Sequence, residues 1–258
     1  MTQRFAIVTI LTAAAAVLNA QWPKTIDVNE PRPLWRALDQ LETIVGLPIN
    51  YEDVPYENAA DLRDISTRQS AAAPAFHAIV PRSGHVTAQI PALTGTAPAS
   101  EALADVNLLL RSYRESELPG DFEVEQRAGE LYVTAAKVRG ADGVMRAVTS
   151  PLAAPVTIPE TQRTLIETVG AILDGVNQVT GVRIVTGSFP IWPLPKVSFG
   201  ASDEPARDAL TRLFARMPGA PWSYRLIFEP GLDQRRDADY VLNITRTGYV
   251  PRVSPSAQ

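Results

Sequence analysis

Apolar positions recur along this chain with two periods, and each period predicts an element. Leu34, Ala37, Leu38, Leu41, Ile44 and Val45 return at helical spacing from a Pro31-Arg32-Pro33 start, and Gly46 ends the run. Ala102, Leu103, Val106, Leu109, Leu110 and Tyr113 mark a second helix, which begins near Ser100 and stops before Pro119-Gly120. Leu165, Val169, Ile172, Val176 and Val179 mark a third, closed at Gly181, with Thr157 and Glu160 at capping-box spacing ahead of it. In a fourth, Ala206, Ala209, Leu210, Leu213, Phe214 and Met217 share one face while Arg207, Asp208, Arg212 and Arg216 point away. Ser202 or Asp203 is its expected cap, Pro205 falls in its first turn, and Pro218-Gly219 stops it.

Alternation with a period of two predicts strands. Trp222, Tyr224, Leu226 and Phe228 form one face against Ser223, Arg225 and Ile227, and Tyr240, Leu242 and Ile244 form a second face that pairs with the first as a hairpin. Phe122-Glu123-Val124 and Leu131-Tyr132-Val133 flank Arg127-Ala128-Gly129 as another hairpin. Val86, Ala88 and Ile90 alternate, as do Val197 and Phe199, and residues 47–51 and 182–185 are short strands after helices. Residues 21–30 are a polar lead-in, and residues 52–76 are mostly loop, with one turn of helix within 59–65.

Side by side, the two halves share an order: helix, Gly, short strand, long loop, strand, helix, Pro-Gly, hairpin. Residues 34–51 correspond to 165–184 and residues 86–133 to 197–244; Glu101-Ala102-Leu103 matches Asp208-Ala209-Leu210 within the helix. The expected fold is α+β, in two small tandem domains related by internal duplication, each with helices packed on a mostly antiparallel sheet around a β-α-β-β core. The first domain spans 31–140 and the second 160–246. Residues 148–159, rich in Ala and Pro without periodicity, form a semi-stiff linker between them, and 247–258 a flexible tail.

Composition adds an address. Residues 1–20 carry Arg4, an uncharged apolar run and Asn19-Ala20, the outline of a secretory signal peptide. The alternative is an uncleaved helix anchoring the chain, but the run is shorter than the ~20 residues a bilayer span takes. Only Lys24, Lys137 and Lys196 of the 24 basic residues are Lys, and this Arg bias with abundant Ala and Pro fits a GC-rich bacterial genome. Export then means the periplasm or the medium, with no stable transmembrane span once the signal is removed. The net charge of -4 and the lack of a basic stripe exclude nucleic acid as the expected partner. With no Cys there are no disulfides, thiol nucleophiles or thiolate metal sites, so packing alone holds the chain together.

Candidate chemistry is sparse. His77 and His85 are the only histidines, too few without thiolates to complete a metal site, and no cofactor motif is present. Ser83-Gly84-His85 and Gly187-Ser188-Phe189 do not match the strand-to-helix serine elbow of hydrolases. The acidic clusters Glu52, Asp53, Glu57 and Asp233, Asp237, Asp239 fall in loops and are expected to be solvated rather than catalytic. The unusual feature is Trp192, flanked by three prolines. With Phe189, Ile191 and Leu194 it makes a candidate binding surface, since a stiff aromatic platform loses little entropy on binding; the bland reading has it covering the second core.

Each half also resembles the short N-terminal domain of secretins and TonB-dependent receptors. The residues that carry the likeness are Val197-Ser198-Phe199, the run Pro205-Ala206-Arg207-Asp208-Ala209-Leu210-Thr211-Arg212-Leu213, then Tyr224-Arg225-Leu226 and Tyr240-Val241-Leu242-Asn243-Ile244. Leu34-Trp35-Arg36-Ala37-Leu38 with Leu47-Pro48-Ile49-Asn50-Tyr51 echoes the helix-to-strand step. Nothing like a pore or barrel sequence follows Ile244, so the resemblance implies a periplasmic docking module for an envelope protein or peptide and carries over no transport role. The expected function is thus an exported interaction or scaffolding module without catalysis. The alternative is a small-ligand or glycan-binding protein, or a hydrolase, with its site between the halves.

Overall fold

The computed structural model describes residues 23–66, 79–91, 98–189, 196–219, 221–230 and 239–247. Among them, four α-helices form on the predicted stripes: α1 (Pro33–Val45), α2 (Ala99–Glu115), α3 (Leu165–Thr180) and α4 (Ala206–Phe214). Helix α1 starts with Pro33, whose missing N–H is not needed in the first turn, and ends where Gly46, at a φ of 67°, turns left-handed and donates its N–H to Glu42.

The strands are β1 (Lys24–Pro31), β2 (Ile49–Glu52), β3 (Leu62–Asp64), β4 (Ile79–Pro81), β5 (Ser83–Ile90), β6 (Asp121–Arg127), β7 (Glu130–Arg139), β8 (Met145–Ala147), β9 (Pro155–Arg163), β10 (Ile184–Thr186), β11 (Val197–Pro205), β12 (Trp222–Glu229) and β13 (Asp239–Arg246). The fold is α+β, and its two halves pair their strands alike. β1 runs antiparallel to β5 and β9 antiparallel to β11, each pair a two-stranded ladder. β2 lies parallel to β7, the second strand of the β6–β7 hairpin, and β10 lies parallel to β13, the second strand of the β12–β13 hairpin. Ala128 and Gly129, at φ of 48° and 86°, close the first hairpin with the two positive torsions that match strand twist.

The separate sheets expected of two domains are instead one. β12 pairs in parallel with β2, giving the order β10-β13-β12-β2-β7-β6, with β8 added beside β7. Helices α1 and α2 lie between the β1–β5 ladder and the first half of this sheet, and α3 and α4 between the β9–β11 ladder and the second half. At the junction, Tyr224 meets Phe214 of α4 while its neighbour Arg225 reaches Glu42 of α1. Adjacent strand residues point to opposite faces, so the two pairs of helices cover opposite sides of the sheet. β12 is consequently buried on both faces from Trp222 to Phe228, where alternation alone predicts one.

Several boundaries differ from the sequence expectations. Within the expected linker 148–159, Pro151–Ala153 form a single 3₁₀ turn capped by Ser150, and Pro155 opens strand β9. Leu152, Val156 and Ile158 are buried, which anchors the segment, and Pro155 and Pro159 are tolerated because β9 has one ladder partner, β11. Thr157 and Glu160 therefore lie in a strand, and Thr164 with Glu167 forms the capping box of α3. Neither Ser202 nor Asp203 caps α4; β11 continues to Pro205, which is the N-cap. The polar lead-in contains β1, where Ile26 and Val28 are buried.

Candidate functional site

Of the acidic residues expected to be solvated, Glu57 is exposed, Asp239 opens β13, and Asp233 and Asp237 lie outside the described residues, but Glu52 and Asp53 are the centre of the boundary between the halves. Glu52 and Asp53 are each only 1% exposed, because β2 carries them into the sheet junction. Asp53 accepts hydrogen bonds from the hydroxyls of Tyr51 at 2.8 Å and Tyr56 at 3.2 Å, from Arg32 Nε at 3.2 Å, and from the backbone N–H of Val54 and Phe228. Arg32 also donates to the Phe228 carbonyl. Burial pushes the Asp53 carboxyl above its usual range, against the pull of the Arg32 guanidinium and the two hydroxyls. The same burial, with Asp53 alongside, pushes the Tyr51 and Tyr56 hydroxyls well up.

On the α4 face, Glu52 accepts from Tyr224 Oη at 2.7 Å and Arg207 Nη2 at 3.0 Å, and Asn50 Oδ1 accepts the Tyr224 N–H at 3.0 Å. On the α1 face, Arg225, 2% exposed, donates through Nη2 to Glu42 at 2.7 Å, through Nε to Asp39 at 2.9 Å, and through Nη1 to the Ile49 carbonyl. Ser223 Oγ donates to the other Glu42 oxygen at 2.8 Å. These bonds join the second half to the first. A buried polar group left unpaired costs about 1–3 kcal/mol, so each of these side chains needs its partner across the boundary. Convergent polar groups thus meet between the halves, as a site there would require, but they are spent on one another.

An open concavity lies within the second half alone. It is a groove of about 520 Å³ lined by Ile158 and Glu160 of β9, Gly200, Ala201, Ser202 and Glu204 of β11, and Arg212 and Arg216. A β-bulge shapes it: the β9–β11 register shifts between Phe199 and Ala201 and again before Glu204, and Asp203 takes a φ of 51°. Gly200 is required there, since a Cβ would stand 2.9 Å from the Glu160 backbone. The guanidinium groups of Arg212 and Arg216 stack on Phe199, 4.4 Å and 5.4 Å from its ring centre. Arg212 is fixed by Glu204 and by the Gly200 carbonyl at 2.8 Å, and Arg216 donates to the Ser198 carbonyl at 2.6 Å while remaining exposed. A wall of two aligned cations over an aromatic ring, facing Glu160, can bind carboxylate or peptide groups, and Glu160 itself accepts the Ser198 hydroxyl at 3.1 Å.

Of the expected binding surface, Phe189 is partly buried against the core, and Ile191, Trp192 and Leu194 lie outside the described residues. His85 is exposed and its Nε2 lies 2.6 Å from Asp27 Oδ1, across the β1–β5 ladder; His77 is outside the described residues. Among the described residues no group of His, Cys, Asp and Glu is arranged to hold a metal ion, and no helix is long and apolar enough to cross a membrane. The outward-pointing Arg212 and Arg216 were visible as a polar helix face, but the bulge that seats Phe199 beneath them has no signature beyond Gly200. Comparisons with protein-family models, with curated proteins and with solved structures found no match in any of the three.

Proposed function

We propose that this chain is an exported, non-catalytic interaction module of the bacterial envelope, which binds an extended segment of another envelope protein through the arginine groove of its second half. The observation that carries the reading is the groove itself: Arg216 is exposed above Phe199 with its guanidinium already oriented, so little entropy is lost when an acidic residue docks. The buried carboxylates of the junction support a binding role over a catalytic one, because each is committed to a cross-half partner. The shared strand pairing of the halves supports duplication of one α+β unit of the secretin and TonB short N-terminal type, and the apolar N-terminal run supports export.

A photo-crosslinking residue placed at Ser202 in exported chain is expected to give a discrete adduct in the periplasmic fraction, and one at Asp142, on the β7–β8 hairpin of the first half, none. Arg216→Glu should abolish the Ser202 adduct. Equal labelling from both positions, or an adduct indifferent to Arg216, would remove the groove from the function.

A further inference from the structure

The joint between the halves has a geometry that can repeat. Along the sheet the first half reads β2-β7-β6 and the second β10-β13-β12, in the same sense. β12 is parallel to β2 but antiparallel to β13 and hence to β10. The second half is therefore related to the first by a half-turn about an axis across the strands, together with a step along it. Such an operation does not close on itself. Applied once more, it sets β6 of one molecule on β10 of the next and extends the sheet without limit, the hazard of edges that pair with no further strand among the described residues.

The outer edges differ from the joined ones at the positions that matter. Tyr51 faces Val133 as Thr186 faces Leu242, which makes Ile184 the counterpart of Ile49; one residue further, Thr134 faces Glu123 as Asn243 faces Arg225. Glu42 and Asn177 each lie seven residues before those isoleucines. At the seam Glu42 accepts the Ile49 N–H at 3.2 Å and leaves the Ile49 carbonyl to Arg225. At the outer edge Asn177 accepts the Ile184 N–H at 2.9 Å and also donates to the Ile184 carbonyl at 3.3 Å, closing the socket from within. Asn50, which takes the Tyr224 N–H, is replaced in the same register by Val185, and Asp53, which takes the Phe228 N–H, by Ser188. On the other edge an exposed Glu123 stands in place of Arg225 and would meet Asp174, the counterpart of Asp39.

We infer that β6 and β10 are complementary surfaces for a second copy of this chain, held off by Glu123 and Asn177, so that the molecule stays single and one exchange at each edge makes it assemble head to tail. This is independent of the groove. Glu123→Arg supplies a competent strand and Asn177→Glu a competent socket. In sedimentation of the full chain, wild type and each single variant are expected to run as monomers. An equimolar mixture of the two variants should form a one-to-one pair with twice the monomer mass, and the double variant should grow further with concentration. Two unmixed monomer boundaries, with both variants retaining the wild-type circular dichroism and melting curve, would overturn the inference, as would a wild type that associates regardless of either substitution. Should Asn177→Glu fail to fold, Val185→Asn with Ser188→Asp rebuilds the socket by its other acceptors and is read the same way.

Discussion

Arg225 shows how one side chain can set the cost of an entire junction. Its guanidinium is enclosed and holds Asp39, Glu42 and the Ile49 carbonyl together, and Glu42 and Asp39 raise its affinity for the proton further even though burial opposes them. Removing one partner of a buried ion pair strands the other, so Arg225→Ala should destabilise the protein by about 3–5 kcal/mol in urea denaturation. Asp105 is the opposite case: it is buried in α2, and its Oδ2 has no hydrogen-bond partner among the described residues. Burial, with Glu101 adding repulsion, lifts its carboxyl above the ordinary value of 3.8. The folded chain therefore holds this proton more tightly than the unfolded chain. The stability it contributes is complete below the unfolded value and is lost as pH rises through the raised one. Asp105→Ala should accordingly gain roughly 1 kcal/mol at neutral pH, and the advantage over wild type should vanish toward about pH 3, as urea midpoints across that range will show. Neither residue announced itself in the sequence. Arg225 sat on what alternation made a solvent face, and the warning was Ile227, an apolar residue two positions along on the same side.

At the scale of elements, the helices and hairpins were legible because their periods are long enough to be distinct. The errors cluster where one ladder partner suffices. β9 carries Pro155 and Pro159 and only Val156 and Ile158 as buried alternating residues, so its composition looked like a linker. Helix α3 is the consequence: two Thr-x-x-Glu spacings precede it, at Thr157 and at Thr164, and spacing alone cannot choose between them. In the structure Thr164 Oγ1 accepts the Glu167 N–H and Glu167 accepts the Thr164 N–H at 2.8 Å, whereas Thr157 Oγ1 accepts from Asp203 across the ladder. Thr164→Ala should lower stability by about 1 kcal/mol with faster amide exchange in the first turn of α3. Thr157→Ala should leave that turn protected and expose Asp203 instead. The groove has the same dependence on local backbone: Gly200→Ala should loosen β9 from β11, read as lost protection in that ladder alone, because the added methyl meets the Glu160 backbone.

For the whole molecule, the sequence order suggested two units, and the pairing of β2 with β12 makes one sheet of them. A polar seam of this kind transmits loss: unfolding the second half would strip Glu42 and Glu52 of the cations and hydroxyls they hold, and Asp53 of the Phe228 N–H. Calorimetry should therefore record a single transition, with calorimetric and van't Hoff enthalpies in agreement. Two resolved peaks would mean that the halves melt separately and that the seam is weaker than its geometry. The shared order of elements in the two halves was visible, while the joint was not, because the residues that form it are scattered through both halves and none belongs to a local pattern.

The seam also has a history within each molecule. Ile49 and the guanidinium that completes its edge are 176 residues apart in the chain. At a synthesis rate of 5–20 residues a second, the acceptor edge waits roughly ten to thirty seconds for its strand to leave the ribosome. Until then the nascent first half carries an acid-lined gap ready for any basic extended segment, so a chaperone or a pause that shields it would be felt in yield long before it was felt in melting temperature.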